Sequence, residues 1–277
     1  MTESSESPAA QTGPRLGRFA GLRVRFERRG EPRVTGDLPI LVLHGWGAHL
    51  EAIEPIVGAL ATETEVIALD LPGFGQSEPP PAAWDADDYA RFVIEFLDAL
   101  EVDRCHLVGH SNGGRIAICL AGSQAARVGR LLLCDSAGLR PRRRAGYYWR
   151  VALAKLGRVF GRLGGRPGER LQRRMRERLA SADYLEASPQ MRDTFRRLIA
   201  SDLEPRLGGI ETETLIVWGE HDEDTPLWMA KRLEQAIAGA GLVVFEGAGH
   251  YSYAEDPVRF GRIARLFLCD QPRQVAA

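Results

Sequence analysis

The chain has 277 residues and 44% hydrophobic content, enough to bury a large core. A net charge of −1 gives the molecule as a whole no attraction to nucleic acid or to an anionic membrane surface. No apolar run approaches the roughly 18 residues that a membrane-spanning helix needs.

The polar start, MTESSESPAAQTGP, has no basic stretch followed by an apolar one, so residues 1–18 are expected to be a disordered tail and not a signal peptide. A cytoplasmic location is the corresponding expectation. The first patterned stretch, LRVRFERRG, alternates with period two and predicts an antiparallel edge strand or half of a hairpin over 19–30. Short continuous runs of Val, Ile and Leu follow, starting with PILVLHG at 39 and EVIALDLPG at 65, and recurring as RCHLVGH, RLLLCD, TLIVWGE and GLVVFEG. Continuous runs mark strands buried on both faces, and segments long enough for crossover helices separate them. The fold class is therefore α/β with a mostly parallel sheet.

After the second run, Tyr89, Phe92, Val93, Phe96, Leu97 and Leu100 form one helical stripe, with Asp87 or Asp88 placed to cap its start. Two later helices are expected to open on Thr225-Pro226 and Asp256-Pro257, where a capping side chain precedes a residue whose missing N–H costs nothing. Cys105, Cys119, Cys134 and Cys269 show no C-x-x-C spacing and are expected to be reduced structural thiols.

Residues 139–210 break the alternation of strand and helix. They contain no strand-like run, many helix formers, and 17 Arg and 1 Lys against 4 Glu and 3 Asp. This local charge of +11 leaves the rest of the chain at −12. The stretch reads as an arginine-rich helical insertion dividing a core made of 19–138 and 211–270, with 271–277 as a C-terminal tail. Its charges are expected to be solvated or paired with the acidic core, or to attract anionic substrates.

The chemistry centres on Gly109-His110-Ser111-Asn112-Gly113, a G-x-S-x-G pattern between a predicted strand and a small-residue helix start. A sharp strand-to-helix turn needs small residues on both sides to lift the serine hydroxyl clear of the sheet. Serine is a poor nucleophile and needs a histidine base held by a carboxylate. His250, at the end of VVFEGAGH, is the candidate base, because a loop at the carboxyl edge of the sheet can carry it over the serine. For the acid there are three candidates: Asp222 in WGEHDEDTP first, Asp135 at the end of LLLCD second, and Asp224. An oxyanion needs two donors, and the backbone N–H groups of Asn112 and Trp46 are the candidates.

With HGWG at 44, DLPGFGQS at 70, GHSNGG at 109, GEHDEDTP at 219 and GAGH at 247, the sequence resembles the α/β-hydrolase superfamily over roughly residues 20–270. The resemblance implies an eight-stranded, mostly parallel sheet with helices on both faces and a helical cap inserted after the sixth strand. It also implies Ser111 as nucleophile, Asp222 as acid, His250 as base, and the Trp46 and Asn112 N–H groups as the oxyanion hole. No metal or organic cofactor is expected, and the expected partner is a small-molecule ester, neutral or anionic, cleaved through an acyl-serine. Serine at 111 disfavours the epoxide hydrolases and haloalkane dehalogenases of this superfamily, which use Asp there. Carbon–carbon hydrolases of aromatic ring-fission products usually continue His-Gly with a Gly-Pro-Gly type segment, from which HGWGAH departs. They remain an alternative to a carboxylesterase, as do cofactor-free haloperoxidases or perhydrolases and, in another class, hydrolase-like small-molecule receptors.

Overall fold

A computed structural model describes residues 13–34, 36–140 and 187–270. Eight strands form one sheet in the order β1-β2-β4-β3-β5-β6-β7-β8. They are β1 (Arg15–Phe19), β2 (Leu22–Arg29), β3 (Ile40–Leu43), β4 (Val66–Leu69), β5 (Cys105–His110), β6 (Val128–Cys134), β7 (Thr214–Gly219) and β8 (Gly241–Phe245). β1 and β2 make an antiparallel hairpin, β2 joins β4 antiparallel, and every pairing from β4 through β8 is parallel. The six continuous apolar runs thus become the six parallel strands. β1 begins at Arg15, inside the stretch expected as a tail. Its polar outer residues hide it in the sequence, since only Phe19 of the strand is buried.

Neighbouring residues of the central strands face opposite layers. Ile40 and Val42 point into one cluster with Ile56 and Val57 of α1 (Glu54–Leu60), while Leu41 and Leu43 point into the other with Phe92, Phe96 and Ile116. That second layer is built from α2 (Ala86–Ala99) and α3 (Asn112–Ser123). Apolar residues on both faces are what a sheet covered by helices requires.

The predicted stripe of α2 is buried from Tyr89 to Leu97, but its cap is Asp85, not Asp87 or Asp88. Asp85 has extended backbone and its Oδ1 accepts from the N–H groups of Asp87 and Asp88 at 3.0 Å each, while Asp88 Oδ2 accepts from Asp85 N–H at 2.9 Å. This reciprocal pair starts the helix at Ala86.

Of the 139–210 insertion, residues 141–186 lie outside the described residues. The described remainder forms α4 (Pro189–Ala200), capped by Ser188, and a short 3-10 turn at Glu204–Gly209. Beyond β7, α5 (Trp228–Ala236) starts two residues after Pro226, without a side-chain cap. The expected Thr225-Pro226 start is corrected accordingly. α6 (Ser252–Glu255) and α7 (Pro257–Leu268) follow β8, and Asp256 caps α7 by accepting from Arg259 N–H at 3.1 Å. All four cysteines are free. Among the described residues no helix is long and apolar enough to cross a membrane.

Candidate active site

The strand order places the site. From β3 the chain moves outward to β4 and then returns to the other side of β3 as β5, so a crevice opens at the carboxyl ends of β3 and β5. HGWG leaves β3 into this crevice and GHSNGG leaves β5 into it.

Ser111 has φ 51° and ψ −114°, a backbone conformation L residues rarely adopt. Such a conformation costs about 1–3 kcal/mol and persists only where the surroundings enforce it. Here close packing enforces it. A Cβ at Gly109 would lie 2.6 Å from the Gly114 backbone, and one at Gly113 would lie 2.1 Å from the Leu43 carbonyl oxygen. Only glycines let β5, the start of α3 and the end of β3 approach this closely.

The structure brings Ser111, His250 and Asp222 together. His250 Nε2 is 3.0 Å from Ser111 Oγ, and His250 Nδ1 is 2.8 Å from Asp222 Oδ2. An ionised carboxylate only accepts, so Nδ1 carries the proton and Nε2 is free to accept from the serine hydroxyl. Asp222 also accepts from the Asp224 and Thr225 N–H groups at 2.8 Å and from Thr225 Oγ1 at 2.6 Å. Burial pushes the Asp222 carboxyl up, but these hydrogen bonds and the charge of His250 outweigh it and hold the group below its ordinary value. His250 shows the opposite balance. Burial disfavours the imidazolium, Asp222 favours it more, and the net direction is upward.

Asp135, the second candidate acid, is directed elsewhere. One oxygen accepts from Gly219 N–H at 2.8 Å, and the other from Ser252 N–H at 3.1 Å and Ser252 Oγ at 2.7 Å. It ties the ends of β6 and β7 to α6, and burial raises its carboxyl to about 7. Asp224 lines the cavity described below without a hydrogen bond to His250. Thr225, expected as a helix cap, instead places its hydroxyl between Asp222, the Asp135 carbonyl at 3.0 Å and His250 Nδ1 at 3.3 Å.

The HGWG loop lies against the serine, since a Cβ at Gly45 would fall 3.1 Å from Ser111 Cβ. The loop is anchored by His44, to which the sequence analysis assigned no task. Leu71 N–H donates to His44 Nε2 at 2.9 Å, which leaves Nδ1 to donate to the Gly45 carbonyl at 2.7 Å. Burial lowers its pKa to about 4, so this double hydrogen bond persists at neutral pH. The loop of DLPGFGQS is tied in the same region by Asp70, which accepts from Leu50 N–H at 2.7 Å and Gln76 N–H at 2.9 Å. His110 donates from Nε2 to the His250 carbonyl at 2.9 Å, fixing the backbone that carries the candidate base.

A cavity of about 270 Å³ opens onto Ser111 and His250, bounded among the described residues by Trp46, Asn112, Arg115, Leu139, Asp224, Met229 and Tyr251, and by Phe195 and Ile199 of α4. The Trp46 ring packs 4.8 Å from Phe195. The described part of the insertion therefore forms one wall of the cavity. Arg115 is the other residue sequence reasoning missed. Its signal is a lone charge in the apolar run RIAICLAG. Among the described residues no group of three or more His, Cys, Asp or Glu side chains is placed to hold a metal ion.

The chain belongs to the alpha/beta hydrolase family, whose model matches residues 40–263. It is 29% identical to the 2-hydroxymuconate semialdehyde hydrolase of Pseudomonas sp. (strain CF600), over 95% of this chain and 97% of that protein. Among solved structures, a meta-cleavage product hydrolase from Pseudomonas fluorescens IP01 matches with a TM-score of 0.67 and 26% identity, covering 91% of this chain and 97% of that one. An esterase from Exiguobacterium antarcticum matches with a TM-score of 0.71 and 25% identity, over 92% and 99% of the two chains. The protein is a hydrolase of this family.

Proposed function

We propose that the protein is a serine hydrolase that splits a carbon–carbon bond beside a carbonyl in a small acidic substrate, with Ser111 as nucleophile, His250 as base and Asp222 as its orienting acid. The observation that carries the catalytic assignment is the unbroken hydrogen-bonded chain from Asp222 through His250 to Ser111 at the mouth of a cavity. The choice of bond is supported by the likeness to the 2-hydroxymuconate semialdehyde hydrolase over nearly the whole of both chains, and not by HGWGAH, which departs from that group's usual segment.

Ser111 Oγ adds to the carbonyl carbon as His250 Nε2 takes the hydroxyl proton. The N–H groups of Trp46 and Asn112, the latter at the start of α3 where the helix dipole favours negative charge, receive the oxyanion. Collapse expels the neighbouring carbon, which must hold the electron pair as a conjugated enolate and takes the proton back from His250. Water, deprotonated by His250, then releases the acid and restores Ser111. The described part of the 139–210 insertion, through Phe195 and Ile199 of α4, supplies one wall of this cavity.

Ester hydrolysis is the second reading, favoured by HGWGAH and the match to the Exiguobacterium antarcticum esterase. The test is steady-state turnover of a ring-fission dienol acid, followed by its loss of colour, beside a series of 4-nitrophenyl esters, with the wild type and Ser111→Ala. Serine-dependent turnover with the higher kcat/KM on the dienol acid supports the carbon–carbon reading. A higher value on the esters replaces it with the second, and turnover unaffected by Ser111→Ala ends both.

A further inference from the structure

Arg115 sits on α3, one turn beyond Ser111, and is 6% exposed. Among the described residues its buried Nε has no hydrogen-bond partner, and no carboxylate acts on its guanidinium. Asn112, three residues earlier on the same helix and 4% exposed, has a buried Nδ2 that also lacks a partner. Residues three apart share a helix face, and both residues line the cavity that holds Ser111 and His250. Two residues that line the same small space thus each carry a buried donor, one of them on a charged group, with no partner among the described residues. An unpaired buried charge is among the most costly groups a fold can carry. Burial lowers the Arg115 pKa to about 10, and at neutral pH the guanidinium still carries its proton.

The geometry points to a carboxylate-binding subsite in which the Arg115 guanidinium and the Asn112 side-chain amide, inside the Ser111 cavity, take an anionic group of the substrate. The inference rests on the assignment of Ser111 as nucleophile and deepens it, naming the residues that select the substrate. A guanidinium matches a carboxylate by two parallel hydrogen bonds, and the Asn112 amide adds a third donor. One helical turn is about 5.4 Å along the axis, so the anionic group stands only a few bonds from the carbonyl that Ser111 attacks. This position also places it near the N-terminal end of α3, where the helix dipole favours negative charge. The arginines of the insertion are not needed for the argument, because both donors belong to the core.

The experiment compares 4-nitrophenyl hemisuccinate with the neutral 4-nitrophenyl pentanoate, of similar length, in wild type, Arg115→Met, Arg115→Lys, Asn112→Leu and Ser111→Ala. The expected result is that the kcat/KM ratio of acidic to neutral ester falls about 30-fold or more in Arg115→Met, with partial rescue in Arg115→Lys and a smaller fall in Asn112→Leu. Thermal unfolding is the second readout. Arg115→Met is expected to melt at or above the wild-type temperature, since it removes an unpaired buried charge, whereas succinate is expected to raise the melting temperature of wild type and Ser111→Ala but not of Arg115→Met. An unchanged ester ratio in Arg115→Met, or equal succinate stabilisation with and without Arg115, overturns the subsite. A lower melting temperature for Arg115→Met together with an unchanged ratio assigns Arg115 to packing. If Ser111→Ala retains turnover, it is the nucleophile assignment that falls, and the succinate measurement still decides the subsite.

Discussion

His250 Nδ1 lies 2.8 Å from Asp222 Oδ2, while the carboxylate of Asp135, at the end of the strand beside β7, is fully engaged by Gly219 and Ser252. The two acids therefore separate by experiment. Asp222→Asn is expected to lower kcat by about 10⁴, the scale of losing the carboxylate that fixes a catalytic imidazole. Asp135→Asn is expected to act mainly on stability, lowering the unfolding free energy by about 1–3 kcal/mol as its buried donors lose their best acceptor. Steady-state kinetics and denaturant unfolding of the two variants check this, and a larger kinetic loss in Asp135→Asn would reverse the assignment.

The pH dependence follows from His250. In the proposed mechanism His250 must be neutral to accept the serine proton, and against burial its pKa is raised above the ordinary 6.5 by the hydrogen bond to Asp222 and by the charges of Asp222, Asp224 and Asp135. The acid limb of kcat/KM is expected above pH 6.5, with activity rising as pH increases through it. Asp224→Asn removes one of those charges and should move the limb to lower pH. The same group contributes to folding in the opposite sense. Its stabilisation is complete below pH 6.5 and is lost as pH rises through the raised folded value. A limb that stays fixed in Asp224→Asn contradicts the account.

Thr225 tests how far the acid depends on its own supports. Its hydroxyl lies 2.6 Å from Asp222 Oδ2, and Thr225→Val keeps the shape while removing that bond. We expect kcat to fall about tenfold, corresponding to about 1.4 kcal/mol, with KM for a neutral ester nearly constant. A KM effect without a kcat effect would place Thr225 in substrate binding instead.

Two glycines of α3 are expected to respond in opposite directions. Gly113→Ala would drive a methyl to 2.1 Å from the Leu43 carbonyl and should destabilise by about 1–3 kcal/mol or more. Gly122→Ala meets nothing within 4 Å on the exposed end of the same helix and should stabilise by about 0.5 kcal/mol. Melting curves of the pair distinguish a packing requirement at the turn from a general intolerance of the helix.

The six parallel strands were legible because each is a continuous apolar run, a pattern imposed by helices on both faces. The residues of the hydrogen-bonded chain were legible because G-x-S-x-G and GAGH follow such runs directly. Capping was not, because Asp85, Asp87 and Asp88 are chemically alike and only the extended backbone at Asp85 singles it out. Thr225-Pro226 looked like a helix start because nothing local reveals that Asp222, three residues earlier, takes the hydroxyl. His44 and Arg115 were missed for related reasons. The first is defined by hydrogen bonds to Leu71 and Gly45, and the second by a buried Nε without a partner among the described residues.

The φ of 51° at Ser111 bears on how a bound substrate is to be seen. Alanine in place of serine removes the hydroxyl and keeps the strained backbone, whereas glycine removes both, since it alone enters this region without penalty. For trapping an intact ligand in a crystal, Ser111→Gly is then the sturdier mutant of the two, and the small space vacated beside His250 is open to a water molecule in the serine oxygen's place. Rigid packing around the turn holds the serine in its strained conformation, and glycine at 111 keeps the same backbone path without the strain.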